Sequence, residues 1–260
     1  MLHAGWNVML ARSRDIPAAT SVALALSVIV FAPLAVMTWR VETAAIPWIV
    51  ASAGLELVYF SLLTTAYGRS DLTLVYPIAR GTAPVLVLAV ATLAGVVLGL
   101  WQAVGVVLVS VGVVLVRGLK AEVDTRGVLL ALSIGATIAA YTLVDKEGIE
   151  HASAIPYFEL VLLPVAIAAV AWHLARGRRT ALRSEVSAST AAAAIFAFTA
   201  YALVLVGLSL APAPAVAAVR ETSILFAVAL GALVLGEPVG RFRIAGAALV
   251  VSGVALVALG

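Results

Sequence analysis

Two arginines lie inside long apolar stretches of the chain, where an ionised side chain needs a polar partner. Arg80 lies in LVYPIARGTAPV, residues 74–85, and Arg220 lies in AVAAVRETSILF, residues 215–226. An arginine at the centre of a membrane helix costs roughly 2.5–3.5 kcal/mol, even on lenient insertion scales. A guanidinium group can hold a carboxylate or a phosphate through two parallel hydrogen bonds. Both residues are therefore candidate ligands for a solute that carries such a group.

The acidic residues of these segments leave two interpretations open. Arg80 either contacts a solute or forms an internal ion pair with Glu56. Arg220 and Glu221 are adjacent, so a continuous helix would separate them by about 100° and they could not both face one groove. One of the two is expected to face a cavity and the other to seal the interface between repeats. Glu56 and Tyr59 share a helix face, which suits either proton coupling or a structural partner for Arg80.

Tyrosines and prolines add to the candidate pathway. The hydroxyls of Tyr76 and Tyr201 are candidate contacts to a solute, although a buried tyrosine more often bonds to a neighbouring helix. Pro77 and Pro84 each remove a backbone hydrogen bond, and they predict a helix break that serves gating. Such breaks are tolerated in a bilayer only where protein or a water-filled cavity satisfies the freed groups. Residues 74–85 are therefore predicted to line a solute pathway.

The composition is that of an integral membrane protein. Of the 260 residues, 64% are hydrophobic and 11% are charged, against roughly 45–50% and 25% in soluble domains. The apolar runs are about 18–25 residues long, which suits membrane helices and not the ~10-residue alternation of barrel strands. The fold class is therefore all-α, a polytopic membrane helix bundle. The net charge of +3 is dispersed among short loops, so nucleic acid is not an expected partner.

Nine full membrane spans and one shorter helix are predicted. As a helix, residues 1–11 cover only about half of the bilayer. Either the first helix is a genuine half-helix or the start codon is placed too late. The full spans are predicted at about residues 17–39, 47–67, 72–95, 98–116, 127–144, 155–175, 187–210, 214–235 and 242–259.

The two halves of the chain repeat each other. Setting Arg80 on Arg220, with one residue of slippage, aligns four glycines: Gly105, Gly112, Gly246 and Gly253. Their seven-residue spacing keeps small residues on one helix face, so that two backbones can approach within one chain or across a homodimer. Because each repeat has five helices, the second copy enters the membrane from the opposite side. The predicted domains are residues 1–120 and 121–260, two inverted five-helix repeats with the solute site near the midplane.

Three segments together resemble one transporter family: HAGWN, AYGRSDLTLVYPIARGTAP and SILFAVALGALVLGEPVGRFRIAGAALVVSGVALV. In order and spacing they resemble the EamA-type members of the drug/metabolite transporter superfamily. The resemblance implies ten helices in two repeats, and secondary transport or export of small metabolites. It also implies that helices 3, 4, 8 and 9 line a central cavity. The Gly-Glu pair typical of the family follows the ninth helix as Gly236-Glu237, whereas the first-half match, Gly95-Val96, lacks the acid.

Catalysis and cofactor binding have no support in the sequence. Residues 207–211, GLSLA, formally resemble the serine nucleophile of intramembrane proteases, but the three histidines lie near the start, in a loop and near a helix end. There is no HExxH, P-loop or dinucleotide-binding pattern, and no cysteine for a thiolate site. The sequence therefore predicts no enzyme, no metal and no cofactor.

The distribution of basic residues predicts an orientation in the membrane. Lysine and arginine concentrate in the links 1–2, 3–4, 5–6, 7–8 and 9–10, while only Arg40 and Lys146 lie on the opposite side. The positive-inside rule places those odd-numbered links in the cytoplasm and the carboxyl terminus outside. The usual arrangement of the family, with both termini cytoplasmic, conflicts with this result. We give precedence to the charge distribution.

The function predicted from these features is secondary transport. The protein is expected to export a small polar or amphipathic metabolite, anionic or zwitterionic, across the bacterial inner membrane by alternating access and with proton coupling. Arg80, Arg220 and Glu221 are the principal site residues, assisted by Glu56. The alternatives are a flippase for a lipid-linked sugar from the same superfamily, and a non-transporting membrane subunit or receptor.

Overall fold

The computed structural model describes residues 2–69, 72–117, 125–226, 228–229 and 240–260. Almost all of this chain is α-helical, with one 3₁₀ turn at Thr43–Ala45. The helices are α1 (Leu2–Ala11), α2 (Ile16–Met37), α3 (Ile46–Arg69), α4 (Leu72–Leu93), α5 (Leu100–Arg117), α6 (Thr125–Gly148), α7 (Ala154–Ala175), α8 (Arg179–Ser184), α9 (Ala188–Leu210), α10 (Ala213–Arg220) and α11 (Arg241–Leu259). The predicted all-α class is confirmed.

Length and hydropathy identify the membrane-spanning helices. Within the described residues, six segments are long and apolar enough to cross a bilayer: Ile16–Met37, Thr43–Ala66, Thr125–Gly148, Ala154–Ala175, Ala188–Leu210 and Arg241–Leu259. Two shorter apolar helical stretches cover Pro77–Leu93 and Leu100–Val116. The first helix, α1, has 10 residues, as the shortened helix 1 of the prediction requires. The protein is therefore a polytopic helical membrane protein.

Three local features differ from the prediction: the predicted break in α4, the end of α6, and the connection that contains α8. α4 continues through Pro77 and Pro84, so neither proline ends the helix. A proline removes one hydrogen bond, and packing against neighbouring helices can hold a membrane helix together at such a point. α6 continues to Gly148, one turn beyond the predicted end at residue 144. The six-residue helix α8 occupies a connection that was predicted to be a loop. The gating role of the two prolines stays a prediction.

The chain packs as two compact units. Unit 1 comprises Met1–Leu57 and Val144–Ser209, and unit 2 comprises Val58–Leu143 and Leu210–Gly260. Each unit therefore takes helices from both halves of the sequence. The predicted division into repeats at residue 120 is a different division of the chain, and it stays a prediction.

In unit 1, small residues allow close packing of α1, α2 and α9. The buried cluster contains Leu10, Ala19, Ala23, Ala193 and Ala194. In lipid, helices associate through van der Waals contact and interhelical hydrogen bonds, which favours such small side chains. An interhelical hydrogen bond accompanies the cluster, because the hydroxyl of Ser27 in α2 donates to the carbonyl oxygen of Ala194 in α9 at 3.1 Å.

In unit 2, glycines allow the backbones of α5 and α11 to touch. A Cβ atom at Gly105 would lie 2.5 Å from the carbonyl oxygen of Gly253, and one at Gly112 would lie 2.7 Å from that of Gly246. Buried valines flank these contacts on both helices. The four glycines therefore join the last helix of one half of the sequence to the last helix of the other half.

We expect Gly112→Ala to lower the thermal stability of the protein, whereas Gly54→Ala should leave it unchanged or raise it. The added methyl group at Gly112 meets backbone, so α5 and α11 must separate, at a cost of about 1–3 kcal/mol. At Gly54, in the interior of α3, a Cβ atom meets nothing within 4 Å, and alanine is the better helix former. Thermal unfolding of the two purified variants in one detergent checks this expectation. Equal melting temperatures would show that the α5–α11 contact tolerates separation.

Candidate functional site

A buried cluster of charged residues lies where α4 meets the end of α10 in unit 2. The Nε atom of Arg80 lies 3.0 Å from Oε2 of Glu221. The Nε atom of Arg220 lies 3.5 Å from Oε1 of the same carboxylate. Arg80 also donates a hydrogen bond from Nη2 to the hydroxyl of Ser223 at 3.2 Å. One carboxylate is thus shared by two guanidinium groups, one from each of the two segments singled out in the sequence.

An interruption of the helix forms the second half of this cluster. α10 ends at Arg220, Glu221 and Thr222 form a turn, and residues 223–226 are helical again. The N–H groups of Glu221, Thr222, Ile224 and Leu225 each donate to a carbonyl three residues earlier, at 3.0 Å. Such tightened 3₁₀-type bonds inside a longer helix often mark a hinge or a functional position. In transporters with inverted repeats, discontinuous helices mark the solute site.

Two glycines fix the position of α4 around Arg80. A Cβ atom at Gly81 would lie 3.0 Å from the carbonyl oxygen of Ser110 in α5. A Cβ atom at Gly135 in α6 would lie 2.9 Å from the carbonyl oxygen of Ala79. Close approach on both sides leaves α4 little freedom to shift. Arg80 lies eight residues into α4, which places it roughly 12 Å from the start of that helix.

Burial differs among the three charged side chains. Glu221 is 1% exposed and the side chain of Arg220 is 2% exposed, whereas that of Arg80 is 13% exposed. Arg80 is therefore the most exposed of the three charged side chains. Neither carboxylate oxygen of Glu221 accepts an aligned hydrogen bond from the part of the chain that the structure describes. Its two oxygen atoms instead form ion pairs with the arginines, at 3.0 and 3.5 Å.

The structure brings together three of the predicted site residues and corrects one argument about them. Arg220 and Glu221 were predicted to face different sides of a continuous helix. The continuous helix is wrong, because α10 ends at Arg220, and the two side chains contact each other. Which of them faces a cavity stays a prediction. Glu221 is a carboxylate partner of Arg80, and the predicted pairing of Arg80 with Glu56 stays a prediction.

Glu56, Tyr59 and Tyr76 were also predicted to contact the solute. Glu56 is buried in α3, at 6% exposure. Tyr59 is half-buried and packs edge-on against Tyr141 in α6, with ring centroids 6.0 Å apart. The side chain of Tyr76 lies outside the described part of the chain, as do Gly236 and Glu237. The solute contacts predicted for these residues stay predictions.

Sequence reasoning missed a second polar centre, at Asp145 near the end of α6 in unit 1. Its carboxylate accepts hydrogen bonds from the hydroxyls of Ser52 at 2.5 Å, Tyr157 at 2.9 Å and Tyr201 at 2.5 Å. These donors come from α3, α7 and α9, so Asp145 connects four helices. Tyr201, predicted to bind the solute, donates its hydroxyl to this network.

A signal for Asp145 was present in the sequence. The predicted sixth helix ended at residue 144, which left Asp145 just outside it. Gly148 is a typical residue for the end of a helix, and it places that end one turn later. An aspartate in the last turn of a membrane helix must be paired, which directs attention to hydroxyls on neighbouring helices.

The fold and the buried charges define a class of protein, the polytopic helical membrane proteins that carry an interrupted helix with ionised residues at the interruption. Within this class, the EamA-like transporter family matches residues 125–259, more than half of the chain. The protein belongs to the EamA-like transporter family.

Solved structures agree with this fold. Among 24 matching chains, one from a crystal structure superposes with a TM-score of 0.76 at 13% sequence identity, covering 99% of this chain and 98% of the other. That identity supports the fold alone. None of the curated proteins matches the chain. Within the described residues, no group of three or more histidine, aspartate or glutamate side chains is arranged to hold a metal ion.

Proposed function

We propose that the protein is a secondary transporter that exports a small anionic or zwitterionic metabolite across the bacterial inner membrane. The solute carries a carboxylate or a phosphate, and Arg80 is its principal contact. Transport rather than catalysis is the activity, and alternating access is the mechanism. The membership of a transporter family and the membrane-spanning helices support the class of function.

The charged cluster at the interrupted helix is the observation that carries the proposal. Arg80 is accessible, while Glu221 and Arg220 behind it are nearly fully buried. A planar guanidinium group recognises a carboxylate or a phosphate by its fork of donors. A small molecule that carries a carboxylate or a phosphate therefore matches Arg80, the most exposed member of the cluster.

The interruption of the helix at Glu221 and Thr222 supports a conformational change at the charged cluster. A binding event that changes the ion pairs of Glu221 acts directly on the turn that joins α10 to residues 223–226. A ligand can shift a conformational equilibrium only by contacts that differ between the two states. The shared carboxylate supplies such a contact.

Flux measurements on matched solutes test the proposal. Liposomes that contain the purified protein are loaded with one of three kinds of solute: amphipathic amino acids, the amines that result from their decarboxylation, or their methyl esters. We expect efflux of the amino acids at least about tenfold faster than that of the amines or esters, because one lost charge-assisted hydrogen bond costs about 1.5–3 kcal/mol.

Two outcomes would overturn the proposal in different ways. Equal efflux of amines and amino acids would show that transport does not depend on the anionic group of the solute, while the protein would still be a transporter. Failure of every solute to move, with folded protein and tight liposomes, would favour the alternative of a non-transporting membrane subunit. Protein-free liposomes and liposomes that contain the Arg241→Gln variant, changed at an exposed arginine of α11, are the controls.

A further inference from the structure

We propose that an arginine surface at one end of unit 1 binds the headgroups of anionic phospholipids. The surface is formed by five exposed arginines from the α1–α2 and α7–α9 connections: Arg12, Arg14, Arg176, Arg179 and Arg183. This surface shares no residue with the charged cluster of unit 2, and the proposal does not depend on which solute is transported.

Hydrogen bonds and an ion pair hold the two connections together. Asp15, just before α2, forms an ion pair with Arg178, just after α7. The backbone N–H of Asp15 donates to the carboxylate of Glu185, just before α9, at 3.0 Å. The start of α2, the end of α7 and the start of α9 therefore meet at one end of unit 1. The arginines that flank these contacts lie at the same end.

Local caps give the connections a defined backbone. α7 ends at Ala175, and Gly177, two residues later, has φ of +69°, a conformation that favours glycine. The N–H groups of Gly177 and Arg178 donate to the carbonyls of Leu174 and His173, at 3.0 and 2.9 Å. The hydroxyl of Ser187 accepts a hydrogen bond from the N–H of Thr190 at the start of α9. The arginines are thus presented from ordered helix ends.

The exposed charge of this surface has one sign. Residues 12–15 and 176–187 contain two acidic residues, Asp15 and Glu185. Asp15 is engaged by Arg178, and Glu185 is 5% exposed and accepts from the backbone of Asp15. Both acidic side chains therefore contact other residues of the two connections, and the exposed charge of the surface comes from the arginines. Clusters of basic residues next to a membrane helix attract anionic lipids.

Exposed apolar side chains beside the arginines favour a lipid over a soluble anion. Trp172 is 40% exposed, Leu174 is 42% exposed and Val186 is 65% exposed. The guanidinium group of Arg176 lies 4.3 Å from the centre of the Trp172 ring, a cation–π contact. Tryptophan is enriched at the level of the headgroups. A phospholipid satisfies both sets of groups, with its phosphate on the arginines and its chains on the apolar residues.

Lipid titration of the full-length protein tests this proposal. The protein in detergent is titrated with phosphatidylglycerol or phosphatidylcholine, and bound lipid is counted by native mass spectrometry. The variant Arg179→Gln/Arg183→Gln removes two exposed arginines and leaves the Asp15–Arg178 ion pair. Each lost arginine is expected to lower the affinity about fivefold, so the affinity for phosphatidylglycerol should fall roughly 25-fold. The variant Arg40→Gln/Arg241→Gln, which has the same net charge and loses exposed arginines elsewhere, should bind within about twofold of the wild type.

Further measurements keep the test decisive. An equal affinity in both double variants, or equal binding of the two lipids by the wild type, would overturn the proposal. Inorganic phosphate should not compete at the lipid concentrations used, and full competition would identify a soluble-anion site instead. If Arg179→Gln/Arg183→Gln does not fold, Arg12→Gln/Arg14→Gln tests the same surface from the other connection. An unchanged lipid affinity in that variant would also overturn the proposal.

Discussion

Replacing Arg80 with glutamine is expected to reduce the initial rate of solute efflux about 100-fold. The substitution removes the most exposed member of the charged cluster, which is the proposed solute contact, and it breaks the ion pair with Glu221 at 3.0 Å. A lost charge-assisted contact of about 3 kcal/mol corresponds to a factor of about 100. Efflux of labelled solute from proteoliposomes, normalised to the amount of folded protein, measures the effect.

A conservative variant separates solute contact from structural pairing. Arg80→Lys keeps a positive charge for Glu221 but loses the planar fork of donors. If Arg80 binds the solute, this variant should melt close to the wild type and still lose most of its solute affinity, seen as a smaller solute-induced rise in melting temperature. Wild-type efflux by both Arg80→Gln and Arg80→Lys would remove Arg80 from the site. Arg241→Gln is the matched control for loss of an exposed arginine.

Replacing Asp145 with leucine is expected to destabilise the protein by about 3–5 kcal/mol. The substitution deprives three hydroxyls, those of Ser52, Tyr157 and Tyr201, of the carboxylate that accepts from them. Each buried polar group left without its partner costs about 1–3 kcal/mol. Because Asp145 is 1% exposed, water cannot easily replace it. The thermal unfolding midpoint in detergent, followed by tryptophan fluorescence, is the measurement.

Graded substitutions distinguish the network from a general loss of packing. Tyr201→Phe removes one donor and should cost about 1–2 kcal/mol, and Asp145→Asn, which keeps the shape and one acceptor, should cost less than Asp145→Leu. Glu147→Leu changes an exposed carboxylate two residues away and should have little effect. A midpoint for Asp145→Leu equal to that of Glu147→Leu would contradict the role given to the network.

Sequence patterns predicted the class of the protein because that class follows from composition. Apolar runs of about 20 residues can only be membrane helices, so the all-α fold and most of the spans followed directly. The cost of ionised residues in hydrocarbon likewise identified Arg80, Arg220 and Glu221. The short first helix, α1, was also predicted from its length alone.

The ends of helices and the contacts between polar side chains were harder to predict from the sequence. The end of α10 depends on whether a polar residue finds a partner on another helix, and a single chain segment does not contain that information. Proline suggested a break in α4, yet α4 is continuous, while the interruption after Arg220 has no proline or glycine beside it. Local propensity is a weak predictor wherever tertiary contacts determine the backbone.

By itself, the sequence determined that the chain is a bundle of membrane helices with arginines at positions that hydrocarbon does not tolerate unpaired. Only the tertiary structure decided which groups meet: Glu221 between two arginines in unit 2, and Asp145 among three hydroxyls in unit 1. The physical reason is that the free-energy cost of burying a side chain depends on the type of that residue. A hydrogen bond or an ion pair depends instead on the distance between residues that are far apart in the chain. Composition therefore predicts where charges need partners, and packing selects those partners.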